Sequence, residues 1–274
     1  MSPRRLGQHF LNDRNILRRI VDALEPKPGD VVLEIGPGKG SLTGELLARG
    51  LTVIGIEKDR RLAEELERGT WNAEGGTAAP KIVVGDALEL DWQDLVATVA
   101  RSAFPLPRFK VCGNIPYSVT SPLLDKALTP PLPERVLFLV QEEVANRITA
   151  RPGTKTYGAL TVGVQALCRA EKLFVVRAGA FEPPPKVRSA LLRLTPLAEP
   201  LIEPASEGQA FRRLVTACFS QRRKQLRNVL RAVTGKSAAD VTAGLAALAI
   251  DPAARPETLA PAQFVTLLHW RSSL

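Results

Sequence analysis

The chain is poor in metal-binding side chains, with three cysteines and two histidines in 274 residues. Cys112, Cys168 and Cys218 stand far apart, none in a Cys-x-x-Cys pair and none with a histidine nearby. Such spacing offers neither a zinc site nor a disulfide framework, so no metal is expected and the thiols read as buried side chains in a reducing compartment. No apolar run approaches the length of a membrane span, and no membrane role is expected. The basic start lacks the apolar core of a signal peptide, which leaves a cytoplasmic protein as the expectation. Internal repeats and low-complexity tracts are also missing. What is present, 45% hydrophobic and 24% charged residues, is an ordinary globular composition. The length suits one large domain plus a smaller one, and nothing demands more than a monomer.

The net charge of +9 is unevenly placed. Residues 1–19 hold five basic side chains (Arg4, Arg5, Arg14, Arg18, Arg19) against Asp13, and residues 201–274 hold ten basic against five acidic. Residues 20–200 are balanced, with 22 of each. A neutral body with a basic arm and a basic tail suggests a polyanion held at both ends. Solvated helix faces are the alternative.

Residues 31–35 read as a central strand, followed at once by Gly36-Pro37-Gly38-Lys39-Gly40, a helix over 41–48 and a second strand over 52–56 that ends in Glu57. This strand, glycine loop, helix, strand order is the plan of a nucleotide-binding α/β sheet. The glycines let backbone approach a ligand, and Glu57 is placed to accept both hydroxyls of a ribose. The third glycine of a dinucleotide fingerprint is replaced by Ser41. Glu34 lies inside the strand before the loop, and a third strand over 81–84 ends in Gly85-Asp86-Ala87, where Asp86 is suited to an adenine amine. Both features favour S-adenosylmethionine over a nicotinamide cofactor.

A fourth strand over 109–112 ends in Gly113-Asn114-Ile115-Pro116-Tyr117. At the carboxyl edge of a parallel sheet this order builds one wall of a pocket for a flat, amine-bearing ring. The Asn114 oxygen accepts from an amine, Pro116 fixes the backbone and Tyr117 offers a stacking face. A buried turn, with Asn114 as a helix cap and Tyr117 as core, is the alternative. Beyond it the pattern predicts helices over 122–128, 142–149 and 159–169, a fifth strand over 135–140, and a mobile basic loop over 151–158 that lids the site or touches a phosphate. Strands over 172–176 and 189–194 flank Phe181-Glu182-Pro183-Pro184-Pro185-Lys186. The prolines there project Phe181 either as a second stacking ring opposite Tyr117 or as a hydrophobic plug for a turn. Residues 196–204 read as a linker. The remainder reads as helices, including a continuous one over 220–233 with Leu226, Val229, Leu230 and Val233 buried and Arg222, Arg223, Lys224, Arg227 and Arg231 facing out.

Across nearly its whole length the sequence resembles the rRNA adenine N(6)-dimethyltransferase family. The resemblance is carried by Gln8-His9-Phe10-Leu11, Glu34-Ile35-Gly36-Pro37-Gly38, Asn114-Ile115-Pro116-Tyr117, Phe181-Glu182-Pro183-Pro184-Pro185-Lys186-Val187 and Phe219-Ser220-Gln221-Arg222-Arg223-Lys224. It implies an α/β, Rossmann-like class I S-adenosylmethionine-dependent methyltransferase with a smaller C-terminal all-helical domain. The catalytic domain would span 1–200, including the basic arm 1–19, and the RNA-binding helical domain 201–274. The implied reaction places two methyls on each of two adjacent adenosines in a hairpin near the 3′ end of 16S rRNA, late in small-subunit biogenesis. By motif match, His9 and Leu11 close over the cofactor, Gly36 and Gly38 line its methionine moiety, Glu57 takes the ribose, Asp86 and Ala87 the adenine, and Asn114 bridges to the target. Asn114, Pro116, Tyr117 and Phe181 form the catalytic set, and Arg4, Arg5, Arg222, Arg223, Lys224 and Arg227 meet RNA. His9 is a departure, because many members carry Asn there. Two rivals are a DNA adenine methyltransferase, which would be expected to carry a target-recognition domain, and a ribosome assembly factor with dispensable catalysis.

Overall fold

A computed structural model describes residues 9–69, 71, 79–100 and 109–272; Arg4 and Arg5 lie outside the described residues. In chain order the elements are β1 (Phe10–Leu11), α1 (Arg14–Ala23), β2 (Val31–Ile35), α2 (Ser41–Leu47), β3 (Thr52–Glu57), α3 (Arg60–Arg68), β4 (Lys81–Val84), α4 (Trp92–Ala100), β5 (Phe109–Asn114), α5 (Thr120–Ala127), β6 (Arg135–Gln141) and α6 (Glu142–Ile148). They continue with α7 (Ala159–Gln165), β7 (Cys168–Val176), β8 (Phe181–Glu182), β9 (Ser189–Pro196), α8 (Gly208–Ser220), α9 (Leu226–Thr234), α10 (Ala238–Ala247) and α11 (Pro261–Ser272).

Seven strands form one sheet in the order β4-β3-β2-β5-β6-β9-β7, and β1 pairs with β8 in a separate ribbon. The five from β2 to β6 run parallel, and β9 is antiparallel to β6. Parallel strands are covered on both faces, which is why they read as unbroken apolar runs; Val32, Leu33, Ile54, Val111, Leu137 and Phe138 are all buried. From β2 the chain steps outward through β3 and β4, then returns to lay β5 on the other side of β2. That reversal opens a crevice beyond the carboxyl ends of β2 and β5. Ile35 pairs with Ile56 on one side and Gly113 on the other, so Glu57 and Asn114 stand level, each one residue past that rung. Two strand spacings separate them, about 10 Å.

The described chain forms two compact units, residues 1–145 with 171–195 and residues 146–170 with 196–274. The boundary expected at 200 is therefore displaced, and residues 146–170 join the C-terminal unit. Backbone bonds explain this: Leu197 N–H donates to the Leu167 carbonyl and Leu201 N–H to that of Ala166, so residues 196–204 are no free linker. Residues 151–158, expected as a mobile loop that lids the site or touches a phosphate, are pinned in the same unit, which removes the mobility. The Tyr157 ring is fully buried with its hydroxyl donating to the Leu259 carbonyl, and Gly153 N–H donates to that of Glu257. Among the described residues, 197–272 contain helices and no strand. The continuous helix expected over 220–233 is interrupted: α8 ends at Ser220, a turn follows, and α9 begins at Leu226. Leu226, Val229 and Leu230 are buried as expected, while Val233 is half-buried.

Gly113 makes the β2–β5 junction possible. A Cβ there would lie 2.5 Å from the Ile35 carbonyl oxygen, which is backbone and cannot swing aside. Gly113→Ala is expected to destabilise the protein by about 1–3 kcal/mol through forced separation of the two strands. Thermal unfolding checks this, and a wild-type melting temperature would show that the rung has slack.

Candidate active site

The crevice holds a cavity of about 310 Å³. Its wall includes His9, Leu11, Gly36, Gly38, Glu57, Asp86, Ala87, Asn114, Pro116 and Tyr117, so every expected cofactor residue and three of the four expected catalytic residues meet in one place. Gly36 and Gly38 adopt φ of +66° and +60°, the left-handed region that lets the loop bend under the cavity. A Cβ on Gly38 would stand 2.9 Å from the Phe10 ring, so the loop also packs tightly against the β1 segment.

Three carboxylates border the space. Glu57, at the tip of β3, accepts from the Gly38 N–H through Oε2 (3.0 Å) and from the Asp59 N–H through Oε1 (2.9 Å). Lone-pair sites remain on the carboxylate, which suits hydroxyl donors such as those of a vicinal diol. Burial pushes this carboxyl above its ordinary range. Asp86 accepts from Lys58 Nζ (2.6 Å) and from the Leu88 N–H (2.9 Å); the lysine bond holds its pKa down and the group ionised. Glu34 is only 2% exposed, and its Oε2 accepts from the Thr43 hydroxyl at 2.7 Å. Burial raises its pKa to about 7, and the charge of Glu57 adds to the shift. This set fits S-adenosylmethionine: a diol acceptor, an amine acceptor and converging negative charge for a ligand that carries a sulfonium and an ammonium.

The opposite wall comes from β5 and the turn after it. Asn114 Nδ2 donates to the His9 carbonyl at 2.6 Å. A carbonyl only accepts, so the amide orientation is settled by its partner and Oδ1 is the end left for a ligand. The Pro116 carbonyl accepts from the Val119 N–H and the Thr120 hydroxyl, which leaves the Ile115 carbonyl as the neighbouring main-chain acceptor. The Tyr117 hydroxyl is hydrogen-bonded to Ser189 Oγ at 2.8 Å, and Ser189 is held at the first rung of the β6–β9 pair. The spacing of single residues gave no sign of Ser189 or of Thr43, because a lone buried hydroxyl has no periodicity.

Phe181 is the exception. It is 5% exposed, pairs with Leu11 across the β1–β8 ribbon, and belongs to an apolar cluster with Leu17, Leu139 and Leu191. It does not line the cavity, so the reading of Phe181 as a stacking ring is corrected to that of a plug beneath the ribbon. The basic cluster also divides. Arg222 is half-buried, pairs with Glu257, and donates to the carbonyls of Lys155 (2.8 Å) and Thr154 (3.2 Å). Its guanidinium braces the second unit, which corrects its assignment as an outward RNA contact. Arg223, Lys224 and Arg227 are exposed.

Comparison with known proteins adds to this geometry. A family model described as ribosomal RNA adenine dimethylase matches residues 2–272. A protein of Acinetobacter baylyi named ribosomal RNA small subunit methyltransferase A is 44% identical over 268 residues, covering 96% of this chain and 90% of that protein. A Pseudomonas aeruginosa protein of the same name is 39% identical, covering 99% of this chain and 95% of its own length. Among solved structures, a dimethyladenosine transferase from Plasmodium falciparum superposes with a TM-score of 0.77 at 27% identity, covering 94% of this chain and 96% of that one. The 23S rRNA methyltransferase ErmE gives 0.71 at 30% identity, with 96% and 99% covered. These neighbours are Rossmann-like methyltransferases, in agreement with the fold class read from the sequence.

Glu34 yields a test of the electrostatics. Its folded pKa of about 7 stands above the ordinary 4.5, so the folded state keeps a proton that the unfolded state has released between those values. The group therefore lowers stability progressively as pH rises through that window. Glu34→Gln, which removes the ionisation, is expected to raise the melting temperature at pH 8 and to have little effect near pH 4.5. An equal effect at both pH values in calorimetry would contradict a buried, titrating Glu34.

Proposed function

The chain belongs to the ribosomal RNA adenine dimethylase family, and from that premise we propose that it dimethylates the exocyclic amines of two adjacent adenosines in a hairpin near the 3′ end of small-subunit rRNA. S-adenosylmethionine is the methyl donor in this reading, the substrate is a late, cytoplasmic assembly intermediate of the small subunit, and the chain works as a monomer without a metal. The observation that carries the reading is the amide of Asn114, tethered through its nitrogen so that its oxygen is free, in the same cavity as Glu57 and Asp86.

When bound, S-adenosylmethionine supplies an electrophilic methyl group on a positively charged sulfur. Glu57 holds the ribose hydroxyls, Asp86 and the backbone beside Ala87 the adenine edge, and Gly36 and Gly38 give the backbone room for the methionine moiety. His9 and Leu11 close the cavity from the β1 side. The target amine is a weak nucleophile because its lone pair is delocalised into the ring. Asn114 Oδ1 and the Ile115 carbonyl accept its two N–H groups, which draws the nitrogen towards a tetrahedral shape and directs its lone pair. Rate then comes mainly from positioning. Asn114 is an amide and no base, so the proton lost from the amine passes to water. After one methyl a single N–H remains, and a single acceptor suffices to hold the amine for the second transfer. The target base must leave its stack, and Tyr117 recovers part of that loss, about 1–3 kcal/mol.

The decisive assay is mass spectrometry of rRNA from immature small subunits incubated with the protein and labelled donor. Asn114→Ala is expected to lower methyl transfer on the order of a hundredfold or more, with donor binding only weakened. Near-normal methylation by that variant would refute the assignment, and a silent variant that still rescued assembly would favour an assembly factor.

Charge reversal of Arg223, Lys224 and Arg227 together is expected to weaken subunit binding and to flatten its salt dependence by about one unit of slope per lost phosphate contact. Arg222→Ala is expected instead to lower the melting temperature. If the triple variant binds with the wild-type salt slope, those cations are solvated surface only.

A further inference from the structure

The burial of Phe181 leaves the target base with a single stacking ring, Tyr117, unless another aromatic reaches the cavity. His9 does. His9 is on the wall of the same cavity, and its imidazole centroid lies 6.2 Å from that of the Tyr117 ring, with the two planes 33° from parallel. Neither ring is left to choose its own orientation. His9 Nδ1 lies 2.7 Å from the Pro183 carbonyl, and since that oxygen only accepts, Nδ1 carries the proton and donates. The Tyr117 hydroxyl is fixed by Ser189 Oγ. Both anchors belong to one short segment, the proline-rich connection and the first residue of β9.

The segment is itself held at both ends. Upstream, β8 pairs with β1, the Asn12 N–H donates to the Ala180 carbonyl at 3.0 Å, and Phe181 is embedded in the core. Downstream, Ser189 pairs with Gln141, and the Glu142 N–H donates to the Arg188 carbonyl at 3.0 Å. Three prolines between these points restrict the backbone.

Building on the adenine-methylation reading, we propose that His9 is a substrate-binding residue, and that the Pro183–Ser189 segment sets a two-ring clamp of His9 and Tyr117 that grips the flipped adenine. With the ring assigned to the base, any cofactor contact of His9 falls to its main chain, whose carbonyl also orients Asn114. One residue thus steers the amide through its main chain and the base through its ring. A base in van der Waals contact with both rings needs about 7 Å between them if they face each other, and a shift of under an ångström from the observed spacing provides it. Ser189 and Pro183 act through the rings they hold and are positioning residues. The clamp matters most at the second transfer, when the amine carries one methyl and has lost one of its two hydrogen bonds.

The test uses the full chain and immature small subunits, with kcat, KM for the subunit, affinity for S-adenosylmethionine and the ratio of mono- to dimethyladenosine measured together. His9→Ala keeps the main-chain carbonyl and removes only the ring. It is expected to lower kcat/KM for the subunit about tenfold, to leave donor affinity within about twofold, and to enrich the monomethyl product. His9→Phe, which restores a ring without its Pro183 anchor, is expected to recover part of the loss. Ser189→Ala and Tyr117→Phe each break the same hydroxyl contact, so the double variant is expected to be no worse than the poorer single one. Wild-type kinetics and product ratio for His9→Ala would overturn the clamp, as would a loss that simply follows weaker donor binding. If the wild-type chain places no methyl on rRNA, the underlying reading fails and takes the clamp with it. Methylation by the wild type with an indifferent His9→Ala removes the clamp alone.

Discussion

One hydrogen bond, from Asn114 Nδ2 to the His9 carbonyl, decides what the cavity can do. An asparagine side chain has a donor end and an acceptor end of nearly equal size, and only its partner selects which faces a ligand. With the nitrogen engaged, the oxygen is presented to an amine. That choice requires β1 to lie beside the tip of β5, and β1 stays there because β8 pairs with it and Phe181 buries its ring below. It also requires β5 to lie hard against β2, which the missing side chain of Gly113 allows. The chemistry of the site therefore depends on packing at some remove from it.

The carboxylates show a division of the same kind. Asp86 is stabilised as an anion by Lys58, while Glu34 and Glu57 are pushed towards protonation by burial. A cationic donor entering this space reverses the penalty on the buried pair, because positive charge close by favours the ionised form. The burial penalty on these carboxylates thus turns into favourable contact with a cationic ligand, a common arrangement where a protein binds charge.

Much of this was legible in the sequence. The strands β2 to β6 were readable because buried parallel strands are continuous apolar runs, and the residues at their tips could be assigned to one cavity from order alone. Two helices, α3 and α4, escaped notice. In α3 the exposed face is a set of Arg and Glu pairs at i,i+4 spacing, and only Leu62, Ala63 and Leu66 mark its buried side. The turn at 221–225 was read as helix because Leu226, Val229 and Leu230 keep helical spacing up to its edge. Arg222 was read as an RNA contact because its partner Glu257 lies 35 residues away, beyond any local pattern. The role of Phe181 was open for a related reason: a two-residue strand has no period, so nothing local distinguished a projecting ring from a plug.

How Asn114 meets its base is tested most directly by a crystal structure of the protein with S-adenosylhomocysteine and an RNA carrying the target adenosines. Asn114 Oδ1 is expected within about 3 Å of the adenine amine, with Nδ2 still on the His9 carbonyl. An Asn114 side chain turned away from the base, or one that offers it Nδ2, would contradict this role.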